Sequence, residues 1–412
     1  MGAHMLAIDF GTSNSAAAVL DGGRPRRLAI EAGADTLPTA VFFPTRGGAM
    51  RIGVAASDAL IAGDDGRYMR ALKSVLGTAL FHEPRLVGGS RRTLADIVTA
   101  FLKVVKQRAE AETGKTYTAA LSGRPVHFHS ADPVRDARAE DDLRACYHAA
   151  GFDDVTFMFE PEAAALASHG LGRAGEVGLI VDIGGGTSDF TVFRTGHHGI
   201  EILASHGIRL GGTDFDQAVS MMHAMPLLGH GGELRREFGP GHQPVPNAIY
   251  LDLATWAKIP FLYNRETSRT VATMARLAVA PELLRRLENV LEDETGHQLA
   301  FAVEAGKIAA NSGEQDARID MAFIERGLSA GVTATSLAAA LQKYREDLYE
   351  AAQQTLLRAG VAPDAVGAVI LVGGSSLMSM VESVGRDLCP GATIERSEAF
   401  TAVVDGLALA TS

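Results

Sequence analysis

The chain has 412 residues, 47% of them hydrophobic and 21% charged, a balance ordinary for a soluble α/β protein long enough for two or more domains. A formal net charge of −11 argues against the basic stripe that a nucleic-acid interface needs, and two cysteines, Cys146 and Cys389, are too few for a disulfide framework. No window reaches the roughly 18 apolar residues of a membrane span and no secretory signal opens the chain, so composition points to a cytoplasmic protein with neither membrane nor nucleic acid as partner.

Met1–His4 reads as an expression remnant ahead of a natural start at Met5. From there an apolar strand meets Asp9, a turn of small residues (Gly11, Thr12, Ser13) and a second apolar strand ending near Leu20. The same order recurs from Gly178 to Phe193: strand, Asp182, the glycines Gly184, Gly185 and Gly186, Thr187, Asp189 and a second strand. Such glycines permit positive φ and leave no Cβ in the way, so backbone N–H groups can approach an anion closely, and phosphate with its metal is the obvious candidate. Two such hairpins suggest duplicated lobes facing each other over one ligand.

Between the hairpins, Arg26 to Phe43 reads as strands with a turn at Gly33–Asp35. Lys73 stands alone in an apolar segment from Tyr68 to Leu80, where a lysine is ordinarily a snorkelling surface residue. Thr93 opens an amphipathic helix that Gly114 stops, and Ala119 to Phe128 reads as a strand with His127 and His129 on one face. Asp132 and Pro133 cap and start another helix that closes at Gly151. A strand then leads to Glu160, Pro161 and an alanine-rich helix, EAAALASHG, able to pack closely on a neighbour; Glu160 is either a helix-start carboxylate or a group aimed into a cleft.

After the second hairpin, Gly199 to Leu210 reads as a strand pair, and Gly211 and Gly212 feed a helix start at Thr213 and Asp214, a favoured place for an anion. Met225 to Asn264 reads as a loop-rich insertion that holds the single tryptophan, Trp256. Leu283 to Leu291 is amphipathic, and the helical run from Phe301 carries Glu304, Lys307 and Asn311, where Glu304 and Lys307 are spaced as a surface salt bridge. Asp320 to Ile324 reads as a short strand, and Thr335 or Ser336 caps a long helix closed by Gly360. The buried strand Ala368 to Val372 runs into Gly373, Gly374 and Ser375, a setting in which a base or ribose slides over backbone, and a small-residue helix lies near Ala402 to Leu409.

With these motifs in this order the sequence resembles the actin-like ATPase superfamily, and more closely the nucleotide-binding domain of DnaK-type heat-shock chaperones. IDFGTSNS and VDIGGGTSDF resemble the two phosphate motifs, FEPEAAALA the first connecting motif, RLGGTDFD the glycine turn and ILVGGSS the adenosine motif. KSVLG, SGRPVHF and MPLLGHGGE further suggest the YegD-like branch. The resemblance implies an α/β fold of two lobes, each a mixed sheet flanked by helices. It places lobe I over 5–174 and lobe II over 175–395, the latter with a helical, loop-rich subdomain at about 225–330, and returns a C-terminal helix in 396–412 toward lobe I.

The resemblance also implies ATP or ADP with Mg²⁺. Asp9 and Asp182 would hold the metal through water. Backbone N–H groups at Gly11, Thr12 and Ser13, and from Gly184 to Thr187, would bind the β- and γ-phosphates. Gly211, Gly212, Gly373, Gly374 and Ser375 would line the nucleotide, and Glu304, Lys307 and Asn311 would meet the ribose. Lys73 would position the attacking water, Glu160 would order the metal's water shell, and Asp182 or Asp189 would orient the nucleophile or accept its proton. Two departures stand out. Ile308 and Leu377 occupy the positions of the arginines that sandwich the adenine in the chaperones, which removes the cation–π part of base binding. No apolar linker or β-rich peptide-binding region follows Leu409, so the reading expects no substrate domain.

The function expected is thus a slow ATPase acting as a nucleotide-gated switch toward an unknown protein partner. The other readings are a nucleotide-binding module with little turnover, an actin-like filament or scaffold protein, and, more weakly, a sugar kinase.

Overall fold

The computed structural model describes residues 4–45, 47–167, 175–196, 200–396 and 401–411. The first three residues of the expected remnant, the end of the alanine-rich helix at 168–170, the lobe boundary at 174, the start of the strand pair at Gly199, and 397–400 and Ser412 of the C-terminal segment lie outside the described residues. The chain divides into two compact units, Met1–Gly212 with Arg345–Ser412, and Thr213–Tyr344.

The first unit holds two mixed sheets with one topology. In the first, strands β1 (Met5–Phe10) and β2 (Asn14–Asp21) form an antiparallel hairpin, and β3 (Arg24–Arg27) lies antiparallel beyond β2. On the other side β4 (Ala119–Arg124) runs parallel to β1, and β5 (Asp154–Phe159) parallel to β4. The second sheet repeats this arrangement. Strands β6 (Val177–Ile183) and β7 (Ser188–Thr195) form the hairpin, β8 (Ile200–Ile208) lies antiparallel beyond β7, and β9 (Val366–Val372) and β10 (Thr393–Arg396) follow in parallel beside β6. The duplication read from two turn motifs is therefore a duplication of whole sheets, and the α/β class and the duplicated mixed sheets of the actin-like ATPases are both present.

Helices close these sheets with the expected local chemistry. Helix α1 (Leu94–Thr113) starts at a reciprocal capping box between Thr93 and Asp96 and ends at Gly114 with φ 66°. Helix α2 (Pro133–Ala149) starts on Asp132, whose side chain accepts from the Arg135 amide. Helices α3 (Glu160–Ala167) and α4 (Ala402–Leu409) are the small-residue pair. A β-carbon added to Gly406 of α4 would stand 1.7 Å from the Ala163 carbonyl oxygen of α3, so only glycine allows this approach. Their alanines join Ala7, Ala16 and Ala18 of the first sheet and Ile180 and Ile370 of the second in one buried core. This core places the ends of β1 and β6, where Asp9 and Asp182 stand, in one rigid setting.

The second unit is mostly helical, with Arg265–Leu277, Pro281–Glu292 and Gly296–Asn311 packed with two short hairpins. The expected loop-rich insertion is more ordered than its glycines and prolines suggested: it includes the hairpin Glu233–Arg235 with His242–Pro244 and the helix Ala248–Leu253. Three boundaries shift. The strand expected to reach Phe128 ends at Arg124, before Pro125, which has no N–H for the ladder. The short strand lies at Arg318–Asp320 rather than Asp320–Ile324. The long helix Ala334–Ala359 is capped by Thr333, whose hydroxyl accepts from the Ser336 amide at 3.0 Å. Among the described residues no helix is long and apolar enough to cross a membrane.

Candidate functional site

Four turns of the first unit converge, and glycines set how closely. Gly11 sits in a turn so tight that a β-carbon would stand 2.1 Å from the Asn14 carbonyl oxygen. The two hairpin tips touch: a β-carbon on Gly185 would lie 2.5 Å from Ser13 Oγ and 3.0 Å from Thr12 Cβ. Gly211 packs on the Gly185–Gly186 backbone, Gly212 on Ser375 Oγ, and Gly373 on the Ile183 carbonyl and Asp182 Oδ1. The Ser188 hydroxyl donates to the Leu210 carbonyl at 2.7 Å and locks the glycine turn to the second hairpin. One expectation is corrected here. None of Gly184, Gly185 and Gly186 has positive φ; space is what constrains Gly185 and Gly186, Gly184 has room for a β-carbon, and Gly373, at φ 83°, is held by both. The Gly184 amide donates to the Thr187 carbonyl at 3.0 Å and is engaged in closing its own hairpin.

Beneath the turns lies a cluster of four carboxylates and one ammonium, buried except for a half-buried Asp9. Lys73 is 7% exposed, and its Nζ is 2.5 Å from Glu160 Oε1, so it is not a snorkelling surface lysine. Glu160 begins α3 and points into the cluster, which makes both readings of that residue true. Asp189 Oδ1 accepts from the Val126 amide at 2.7 Å and Thr187 hydrogen-bonds its carboxyl. Burial, then the charge of Glu160, raises Asp9 to about 7 and Asp189 to about 8, and Asp182 is held well above the usual carboxylate range for the same reasons. For Lys73 burial alone would lower the pKa, but Glu160, Asp9 and Asp189 overcome it and raise it. The cluster thus carries more negative charge than one lysine balances.

Lys73 is presented by a tight 3₁₀ turn, Leu72–Val75, entered through Ala71 in the left-handed region at φ 59°. His129 is 7% exposed and its Nε2 donates to the Leu76 carbonyl, while His127 lies against Asp136. The two histidines are therefore not a paired ligand set; each has a separate partner because β4 ends before them.

In the second unit, Glu304, Lys307 and Asn311 share the helix Gly296–Asn311. Lys307 is buried rather than on the surface expected of its pairing with Glu304. Its Nζ is 2.6 Å from Asp216 Oδ1, with both side chains buried, and Trp256 Nε1 donates to Asp216 Oδ2 at 3.0 Å. Sequence reasoning missed Asp216, although it stands two residues past Asp214 in the glycine-turn motif. Ile308 is 53% and Leu377 42% exposed, so neither apolar side chain at the expected stacking positions is part of the core.

Among the described residues no group of three or more His, Cys, Asp or Glu side chains is arranged to hold a metal ion. The donors nevertheless suit a hard cation that keeps its water shell: they are carboxylate oxygens, and burial followed by mutual repulsion raises the pKa of three of them, a load that a bound cation would relieve.

Residues 86–226 match the model of the Hsp70 protein family, a stretch that takes in Glu160, the whole second hairpin and the glycine turn. Over 225 residues the chain is 33% identical to the chaperone protein DnaK of Endomicrobium trichonymphae, an alignment covering 53% of this chain. It takes in 34% of that relative, so the chain spans about a third of its length.

Proposed function

Because the chain carries an Hsp70/DnaK-type nucleotide-binding domain, we propose that it binds ATP with Mg²⁺, hydrolyses it slowly in the cytoplasm, and acts as a nucleotide-gated switch toward a protein partner. The observation that carries this reading is the buried cluster of Lys73, Glu160, Asp9, Asp182 and Asp189 beneath two touching phosphate-type turns. KSVLG, SGRPVHF and MPLLGHGGE support a reading of it as a member of the YegD-like branch.

Asp9 and Asp182 would hold Mg²⁺ through water, and bound Mg²⁺ supplies neutralising charge for the phosphates. Backbone amides of Thr12, Ser13 and the second hairpin would bind the phosphate oxygens. Lys73 is the one cation of the cluster; turning from Glu160 toward developing phosphate charge, it lowers the barrier by electrostatics alone. Asp189, fixed by Val126 and Thr187, would orient an attacking water and, in its ionised form, accept its proton. Lys73 has to leave a short ion pair to act, which is consistent with slow turnover.

The test is phosphate release by the wild type beside Lys73→Ala and Asp182→Asn, with nucleotide affinity measured by calorimetry. The reading expects turnover that both substitutions reduce by about 10²–10³-fold. Equal rates in all three proteins would remove the catalytic role. Tight binding without release would leave a nucleotide-binding module, a reading that the loss of the adenine-stacking arginines to Ile308 and Leu377 favours.

A further inference from the structure

The turn that presents Lys73 is pinned by Asp142 and His129, which lie outside the nucleotide motifs, and by Arg209 at the head of the glycine turn. Asp142, 8% exposed on α2, accepts from the Gly77 amide through Oδ2 at 2.9 Å and from His82 Nε2 through Oδ1 at 2.8 Å. His129 Nε2 donates to the Leu76 carbonyl at 2.7 Å. Arg209, next to the glycine turn, donates through Nη2 to the Ser74 carbonyl at 3.1 Å. Gly77 itself, at φ 74°, packs so closely on α2 that a β-carbon would stand 2.4 Å from the Arg135 carbonyl oxygen. Three successive stretches of backbone therefore hold a turn that opens on a left-handed alanine, a conformation that costs energy and persists only where surroundings impose it.

We propose that Asp142 and His129 are positioning residues for Lys73: they latch its turn so that the ammonium is held over the carboxylates. Arg209 joins the latch to the glycine turn, so that the segment packed on Gly185–Gly186 and the segment carrying Lys73 move together. Asp142 and His129 both act through backbone atoms of 76–77. The inference rests on the catalytic reading of Lys73 for its consequence in turnover, but the latch itself is a property of the turn.

The full chain is treated with N-hydroxysuccinimidyl acetate and lysine acetylation is followed by mass spectrometry, with exposed Lys258 and buried Lys307 as internal references. In the wild type Lys73 is protected. In Asp142→Ala and in His129→Ala its labelling rises about tenfold, the effect of losing one hydrogen bond to a charged or buried partner, while Lys307 is unchanged. Asp142→Asn, which keeps an oxygen for the Gly77 amide, restores protection. In turnover, Asp142→Ala lowers kcat with little change in KM, and adds no further loss in a Lys73→Ala background. Should Asp142→Ala fail to fold, His129→Ala, which leaves Asp142 in place, supplies the same readout. Unchanged Lys73 protection in a folded variant overturns the proposal, as does equal exposure of Lys307, which would make these residues merely structural. A wild type with no phosphate release sinks the catalytic reading, and the labelling then still decides the latch.

Discussion

Lys73 Nζ and Glu160 Oε1 stand 2.5 Å apart, both buried, yet the two partners do not depend on each other equally. Among the described residues Lys73 is the cation that the four carboxylates share, whereas Glu160 is one acid too many for its neighbours and helps raise Asp9, Asp182 and Asp189. Lys73→Met leaves an uncompensated acidic cluster and is expected to destabilise the unliganded protein by about 3 kcal/mol or more. Glu160→Gln relieves repulsion as it removes the pair and should cost about 1 kcal/mol or less. Urea unfolding of both variants checks the asymmetry; equal costs would mean that the pair, not the charge excess, dominates.

The acidic cluster also sets a pH dependence. Asp9 and Asp189 titrate at about 7 and about 8 in the folded protein against 3.8 as an ordinary value. Between those limits the folded state binds protons that the unfolded chain has released, so stability falls as pH rises. This contribution is fully present below the unfolded value and is lost as pH rises through 7 to 8. Melting temperatures without nucleotide or divalent cation should therefore fall between about pH 6 and about pH 8.5. Asp189→Asn keeps an acceptor for the Val126 amide and removes the charge, so the fall above pH 7 should shrink. A melting temperature that rises with pH over this range would refute the assignment.

Local chemistry was legible and distant pairing was not. The Thr93–Asp96 capping box, Asp132 before Pro133, Gly114 and the two hairpins are written within a few residues, and the structure keeps each of them. Lys73 with Glu160, Asp142 with Gly77 and Lys307 with Asp216 join residues far apart in the chain, so spacing carried no signal. Lys307 was misread for that reason: Glu304 at i−3 suggested a surface pair, whereas Lys307 is buried against Asp216. The glycines of the second hairpin were found for a partly wrong reason, since none has positive φ and space constrains Gly185 and Gly186.

Trp256 is the only tryptophan, and its indole N–H shares Asp216 with Lys307. If Lys307 engages the ribose, as the family resemblance implies, nucleotide should alter the field at the indole and change its emission. Lys307→Met should abolish that response and Asp216→Asn should shift the resting spectrum. A nucleotide-dependent change that survives Lys307→Met would show that the signal reaches Trp256 by another route.

Gly184 and Gly185 are neighbours of the same type with opposite demands, which separates the spatial from the conformational role of the turn. A β-carbon on Gly184 meets only the Thr187 carbonyl, at 3.8 Å, an ordinary contact. On Gly185 it meets Ser13 Oγ at 2.5 Å and Thr12 Cβ at 3.0 Å, so the two hairpin tips must part. Overpacking of this kind typically costs about 1–3 kcal/mol. Gly185→Ala should lower the melting temperature and weaken nucleotide binding, since the displaced atoms belong to the turn that would carry phosphate. Gly184→Ala should do neither, because its φ is not in the left-handed region. Were both substitutions equally damaging in calorimetry and melting, backbone conformation would be the constraint after all, and direct contact between the tips would not be what selects glycine there.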